Sequence, residues 1–203
     1  MLVTPGQICH DDSARDREEM GYARRRKFDH NNTMRKEREG MDTPRHQITM
    51  TVLMTPNMAN FSGKVHGGTL LKYLDEVAYA CASRWAGHYV VTLSVDQVMF
   101  RQPIHVGELV TFLGSVNYTG RSSMEIGIKV IAEDIRAGVV RHTNSCYFTM
   151  VAVGDDGKSI EVPQFEPTTD VERQRFESGL RRRELRREME QRFHEIRHRE
   201  STE

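Results

Sequence analysis

The chain has 203 residues, of which 37% are apolar and 29% charged, with no formal net charge and a pI near 7.1. Such a balance gives no overall attraction to nucleic acid or to a membrane surface, and no apolar run reaches the length that spans a bilayer. The first residues lack the basic-then-apolar layout of a secretory signal, and early acids such as Asp11, Asp12 and Asp16 disfavour a transit peptide.

The charge is unevenly spread, and this divides the chain into a tail (1–45), a core domain (46–165) and a charged C-terminal helical extension (166–203). Residues 1–45 mix acids and bases, and the basic run Arg24 to Lys27 has acids on both sides, a composition that favours disorder. No helix-turn-helix and no aromatic ladder accompanies that run, so no nucleic-acid partner is expected. Cys9, Cys81 and Cys146 show neither metal-ligand nor redox spacing, which fits a reducing, cytoplasmic setting.

In the core, Gln47 to Met54 reads as a strand ended by Pro56. A polar loop leads through Gly63 to a helix from about Gly68 to Trp85, with Gly87 as its terminator. Alternating residues then predict strands over Tyr89–Phe100, Leu109–Tyr118, Met124–Glu133 and Val139–Val153, with short turns at Thr119–Ser123 and Gly154–Gly157. Residues 170–200 read as a Glu/Arg-rich helical region. Gly179 separates one small apolar stripe (Phe176, Leu180) from a second (Leu185, Met189, Phe193, Ile196), which predicts a short docked segment followed by a longer helix. One long helix followed by meander-like strands implies an α+β fold, a curved antiparallel sheet wrapped around the helix. Its open edges and outer face invite dimerisation.

The chemistry concentrates where the loop enters the helix. Gly67 and Gly68 leave the first helical N–H groups uncovered, and these, with the positive end of the helix dipole, suit an anion or a polarised carbonyl oxygen. Leu70, Leu74, Val77, Ala78, Cys81 and Trp85 follow at buried-face spacing. Asp75 lies among them, where a solvated acid is not expected, so it has to be paired, hydrogen-bonded or functional.

The residues Asn60-x-x-Gly63-x-Val65-His66-Gly67-Gly68, Leu74-Asp75-Glu76-Val77-Ala78, Val91-Thr92-x-Ser94-Val95-Asp96, Phe100-x-x-Pro103 and Gly120-Arg121-Ser122-Ser123-Met124-Glu125 come in this order over about 47–185. Together they resemble the hotdog-fold acyl-CoA thioesterases of the YciA and brain acyl-CoA hydrolase type. The resemblance implies hydrolysis of an acyl-CoA thioester at a dimer interface. It implies Asp75 as catalytic carboxylate, either general base or nucleophile, and Asn60 as a polar partner from the opposite subunit. Gly68 is implied as the oxyanion donor through its N–H. CoA is implied to lie along Val91 and Thr92 and the turn of Gly120, Arg121, Ser122 and Ser123. The acyl chain would run near Leu70, Leu71, Tyr73 and Leu74, whose simplest role is core. No metal or cofactor is implied, CoA being part of substrate and product, and the expected assembly is a homodimer, three of which form a hexamer. His66 is expected to stabilise the turn. Two other readings compete: a non-catalytic acyl-CoA sensor with the tails as output arms, and a hotdog hydratase, whose histidine would stand in a different motif.

Overall fold

The structure, a computed structural model, describes residues 44–200, with side chains as far as Arg197. The expected tail over 1–45 therefore lies, except for its last two residues, outside the described residues. The elements are β1 (Gln47–Leu53), a 3₁₀ turn (Pro56–Met58), α1 (Gly67–Ala86), β2 (Val90–Val95), β3 (Leu109–Thr119), β4 (Ser123–Asp134), β5 (Val139–Ala152) and α2 (Asp170–Glu200). The five strands form one antiparallel sheet in the order β1-β3-β4-β5-β2.

Helix α1 packs on one face of this sheet because its apolar residues recur every three or four positions. Leu70, Leu74, Val77, Ala78, Cys81, Ala82 and Ala86 are all buried, against Val110, Phe112, Ile126, Phe148 and Met150. Full burial of each large side chain is worth about 1.5–3 kcal/mol. Gly114 sets how close the layers come: a Cβ there would stand 2.9 Å from Ile48 Cγ2 and from Val77 Cγ1. The Cys81 and Cys146 thiols belong to this core, and burial pushes both up to about 12. Gly87, at φ 74°, ends the helix in the left-handed conformation.

One predicted strand is shorter than its pattern. The alternation from Tyr89 runs to Phe100, yet β2 ends at Val95. Alternation marks residues able to line a sheet, but a strand also needs a neighbour to bond. Among the described residues the only strand beside β2 is β5, and the ladder slips between Thr92 and Ser94. Asp96 N–H makes the last bond, to Tyr147 O at 2.9 Å. Farther along, Arg141 holds the departing loop through Pro103 O at 2.8 Å.

The second difference is in the C-terminal region. Gly179 does not separate two segments, because α2 is continuous from Asp170 to Glu200. A Cβ at Gly179 would lie 3.0 Å from both Tyr118 Cβ and Glu125 Oε1, so the glycine is where the helix comes down on the sheet. Glu125 is buried there and accepts from Arg182 Nη2 at 2.6 Å and Arg186 Nη2 at 2.9 Å, while Arg186 Nη1 reaches Asp96 Oδ2 at 2.8 Å. Arg182 also stacks 3.6 Å over the Tyr147 ring. At the other end of this contact, Glu172 takes Thr168 N–H and Oγ1–H at 2.8 Å and Thr169 N–H at 3.0 Å, and faces His46 Nε2 at 3.1 Å.

Two outcomes follow from this packing. Burial pushes the Glu172 carboxyl up, but its hydrogen bonds from Thr168 and Thr169 and the nearby His46 outweigh that and hold it at about 2, against an ordinary 4.5. The folded state therefore gains stability from Glu172 above pH 4.5 and loses it progressively toward pH 2, and Glu172→Gln flattens that part of the unfolding-against-pH curve. Gly179→Ala forces Tyr118 or Glu125 to shift and is expected to lower stability by about 1–3 kcal/mol, read from the urea midpoint.

Candidate active site

Asp75 stands on the flank of α1 that the sheet leaves open. The sequence expectation that it sits at a desolvated position is corrected: in the single chain it is exposed. Its Oδ1 accepts a hydrogen bond from Thr92 Oγ1 at 2.7 Å, which ties the helix to the edge strand β2. Leu71 and Tyr79, four residues before and after it, share its helical face. Leu71, expected in the core, is also exposed, as are Tyr89, Leu93 and Val95 along β2. Leu93 is 68% exposed, and the Tyr79 and Tyr89 rings stand 6.3 Å apart. A carboxylate thus lies within a band of uncovered apolar side chains. Helical spacing about Asp75 carried the signal for Leu71 and Tyr79, but which flank of α1 stays open depends on the sheet.

At the helix entry, His66 is the N-cap, as its expected turn-stabilising role requires. Its Nδ1 accepts the Gly68 N–H at 3.0 Å, and its carbonyl accepts from Thr69 N–H at 3.0 Å. The Gly68 N–H is therefore not an open donor in the single chain. A Cβ at Gly68 would lie 3.2 Å from His66 Nδ1, so the glycine makes this close cap possible. Phe100 lies against Gly67, 3.6 Å from where a Cβ would be.

Asn60 holds its own loop. Its Oδ1 accepts from Ser62 N–H at 2.9 Å, Ser62 Oγ at 2.8 Å and Lys64 N–H at 3.2 Å. Its Nδ2 makes no hydrogen bond among the described residues, and no bond joins it to Asp75 within the chain. The other candidates gather at one end of the sheet. Val91 is paired with Val151, which is paired on its other side with Ser123. Thr92, beside Val91, bonds to Asp75, a link that spacing alone does not show. The turn before β4 is held by its backbone: Gly120 N–H donates to Ser123 O at 2.7 Å. Arg121 O and Ser122 O accept from Val162 N–H at 2.9 Å and Ala152 N–H at 3.0 Å. The Arg121 side chain is exposed, with no ion pair among the described residues.

Residues 62–155 match the model of the thioesterase superfamily. Protein VdlD of Helicobacter pylori is 52% identical over 142 residues, 70% of this chain and 81% of that protein. Among solved structures, an apo-hexameric acyl-CoA thioesterase superposes with a TM-score of 0.69 at 36% identity, covering 71% of this chain and 93% of that one. An acyl-CoA hydrolase of Staphylococcus aureus, solved with butyryl coenzyme A, coenzyme A and coenzyme A disulfide, superposes with a TM-score of 0.67 at 31% identity, covering 75% and 94%. The sheet around one helix is accordingly the hotdog fold. Structures of the Staphylococcus aureus enzyme also exist with an asparagine, an aspartate or a threonine replaced by alanine. In that protein's numbering the three stand in the same order and at the same separations as Asn60, Asp75 and Thr92 here.

The cap gives a prediction independent of any activity. His66→Ala removes the acceptor for Gly68 N–H and is expected to destabilise the fold by about 0.5–2 kcal/mol, measured by denaturant unfolding.

Proposed function

The chain belongs to the thioesterase superfamily, and we propose that it hydrolyses acyl-CoA thioesters to free carboxylic acid and CoA at a site built around Asp75 and completed by a second copy of the chain. The observation that carries this reading is the Asp75–Thr92 hydrogen bond lying in an uncovered apolar band. A carboxylate in water is a weak base; the same carboxylate under an apolar partner surface is desolvated and held by one hydroxyl, as general-base or nucleophilic work requires. Hexameric thioesterases among the similar structures support oligomeric assembly. We assign the pairwise contact to the band of Leu71, Tyr79, Leu93 and Val95, with three such dimers forming the hexamer.

The acyl carbonyl would sit at the entry of α1. There the first N–H groups and the helix dipole stabilise the oxyanion as the carbonyl carbon becomes tetrahedral. For Gly68 to serve, His66 Nδ1 must share or release its N–H. Asp75 either takes a proton from water, whose oxygen then bonds to the carbonyl carbon, or bonds to that carbon itself and forms an anhydride that water opens. In both routes the carbon–sulfur bond breaks, CoA leaves as the thiol after taking a proton, and the acid departs. Thr92 orients the carboxylate. Asn60 of the second copy would use its Nδ2 donors on the water or the carbonyl. The pantetheine arm would follow Val91 and the Gly120–Ser123 turn, with Arg121 placed to meet a phosphate. The separations of the residues replaced in the Staphylococcus aureus enzyme support the assignment of Asn60, Asp75 and Thr92. No described helix is long and apolar enough to cross a membrane. The buried thiols of Cys81 and Cys146 fit a reducing cytosol, where we place the protein.

The reading is tested by release of free thiol from a panel of acyl-CoAs of rising chain length. Asp75→Ala is expected to lower kcat by about 10²–10⁴-fold while leaving the assembly mass unchanged. Leu93→Asp is expected to separate the dimer and lose turnover with it. Tight acyl-CoA binding without turnover in the unaltered chain would instead favour a sensor.

A further inference from the structure

Helix α2 is longer than the sheet it crosses. Its contacts run in one direction across the face that α1 does not occupy. Glu172 meets His46 just before β1, Phe176 meets Tyr118 of β3 with ring centroids 5.2 Å apart, and Gly179 lies over Tyr118 and Glu125 of β4. Arg182 then stacks on Tyr147 of β5, and Arg186 reaches Asp96, the first residue beyond β2. From residue 172 to residue 186 a helix rises about 21 Å. Five strands at about 4.8 Å spacing span about 19 Å. The sheet is used up at Arg186, and about 21 Å of helix remains beyond it.

That remaining half is not a plain solvated helix. Leu185, Met189, Phe193 and Ile196 follow at intervals of four, four and three residues, and each is more than half exposed. Four large apolar side chains along one stretch of helix are what a helix presents to a partner. The stripe begins where α2 reaches the β2 edge, the edge whose Leu93 and Val95 are uncovered.

We propose that the distal half of α2 is a second subunit contact, crossing the seam where the two β2 edges meet and lying antiparallel beside the proximal half of the α2 of a second copy. The proposal rests on the pairing across β2 put forward above, and symmetry then supplies the geometry. Two antiparallel β2 edges are related by a twofold axis normal to the sheet. Each α2 runs toward that axis from its own side and crosses it near Arg186, so each overhanging half lies over the other subunit's sheet, beside the half of the other α2 that covers that sheet. Leu185, Met189, Phe193 and Ile196 are then buried between subunits, and α2 clasps the dimer from the face opposite Asp75.

The test uses the full chain with Phe193→Glu and Ile196→Glu together, beside Leu93→Asp. Mass is followed by light scattering over a dilution series, and helix content by circular dichroism. The expected result is a dimer dissociation constant raised at least tenfold by the α2 pair, with helix content and the unfolding midpoint of the separated subunit unchanged. If Leu93→Asp separates the subunits and the α2 pair leaves association unchanged, the clasp is overturned and the β2 pairing stands. If neither changes the mass, both are overturned.

Discussion

A single helix wrapped by a single sheet cannot be covered on every side, and much of this structure follows from that. The sheet buries Leu70, Leu74, Val77, Ala78 and Cys81 on one flank of α1. Among the described residues its five strands do not reach the other flank, where Leu71, Asp75 and Tyr79 remain exposed. In a 3.6-residue helix the two flanks are occupied by interleaved positions of one sequence, so the residues that build the core also fix where the open acid stands. Asp75 is one residue from the core residue Leu74, and it is held in place by the same rigid packing. The resulting position is precise without being buried, which suits the role we propose for Asp75, to meet substrate and a partner subunit.

The edge strand β2 joins the two halves of this arrangement. It pairs on one side with β5, and through Thr92 it fixes the Asp75 carboxylate. Among the described residues nothing pairs with its other side, and an unpaired apolar edge is unfavourable in water unless it is covered. In our reading, covering this edge and desolvating the catalytic acid are the same event. Activity then depends on assembly by construction, because an exposed carboxylate gains its basicity only when water is displaced from around it.

On the far face of the sheet the logic is different, because the contact is polar. Glu125 is buried among β4 and α2 with two arginines on its oxygens, and a buried carboxylate is tolerated only when so paired. Removing one partner of such a pair costs far more than the pair contributes over apolar replacements. Its value here is positional. Arg182 and Arg186 sit one helical turn apart, and both find Glu125 only when α2 lies in one register across the sheet. Arg186 adds Asp96, so the end of β2 is held to the helix as well. Burial raises the Asp96 carboxyl, and Arg186 opposes that rise only in part. A helix fixed in this way projects its remaining turns in a defined direction.

What the sequence determined by itself was mostly periodic or local. Three- and four-residue spacing placed α1 to within a residue at each end, two-residue alternation located four of the strands, and the His66-Gly67-Gly68 entry with Asp75 about two turns inside marked the candidate site. The tertiary structure decided what depends on neighbours. It ended β2 at Val95, because beyond the bond of Asp96 to Tyr147 the chain meets no further strand among the described residues. It carried α2 unbroken through Gly179, because the glycine answers to Tyr118 and Glu125 across the sheet and not to its own helix. It gave Thr92 to Asp75, gave the Gly68 N–H to His66, and left Leu71 and Asp75 exposed. Periodicity says which residues share a face; only packing says what that face meets, since contacts between distant segments are not encoded in the spacing of either one.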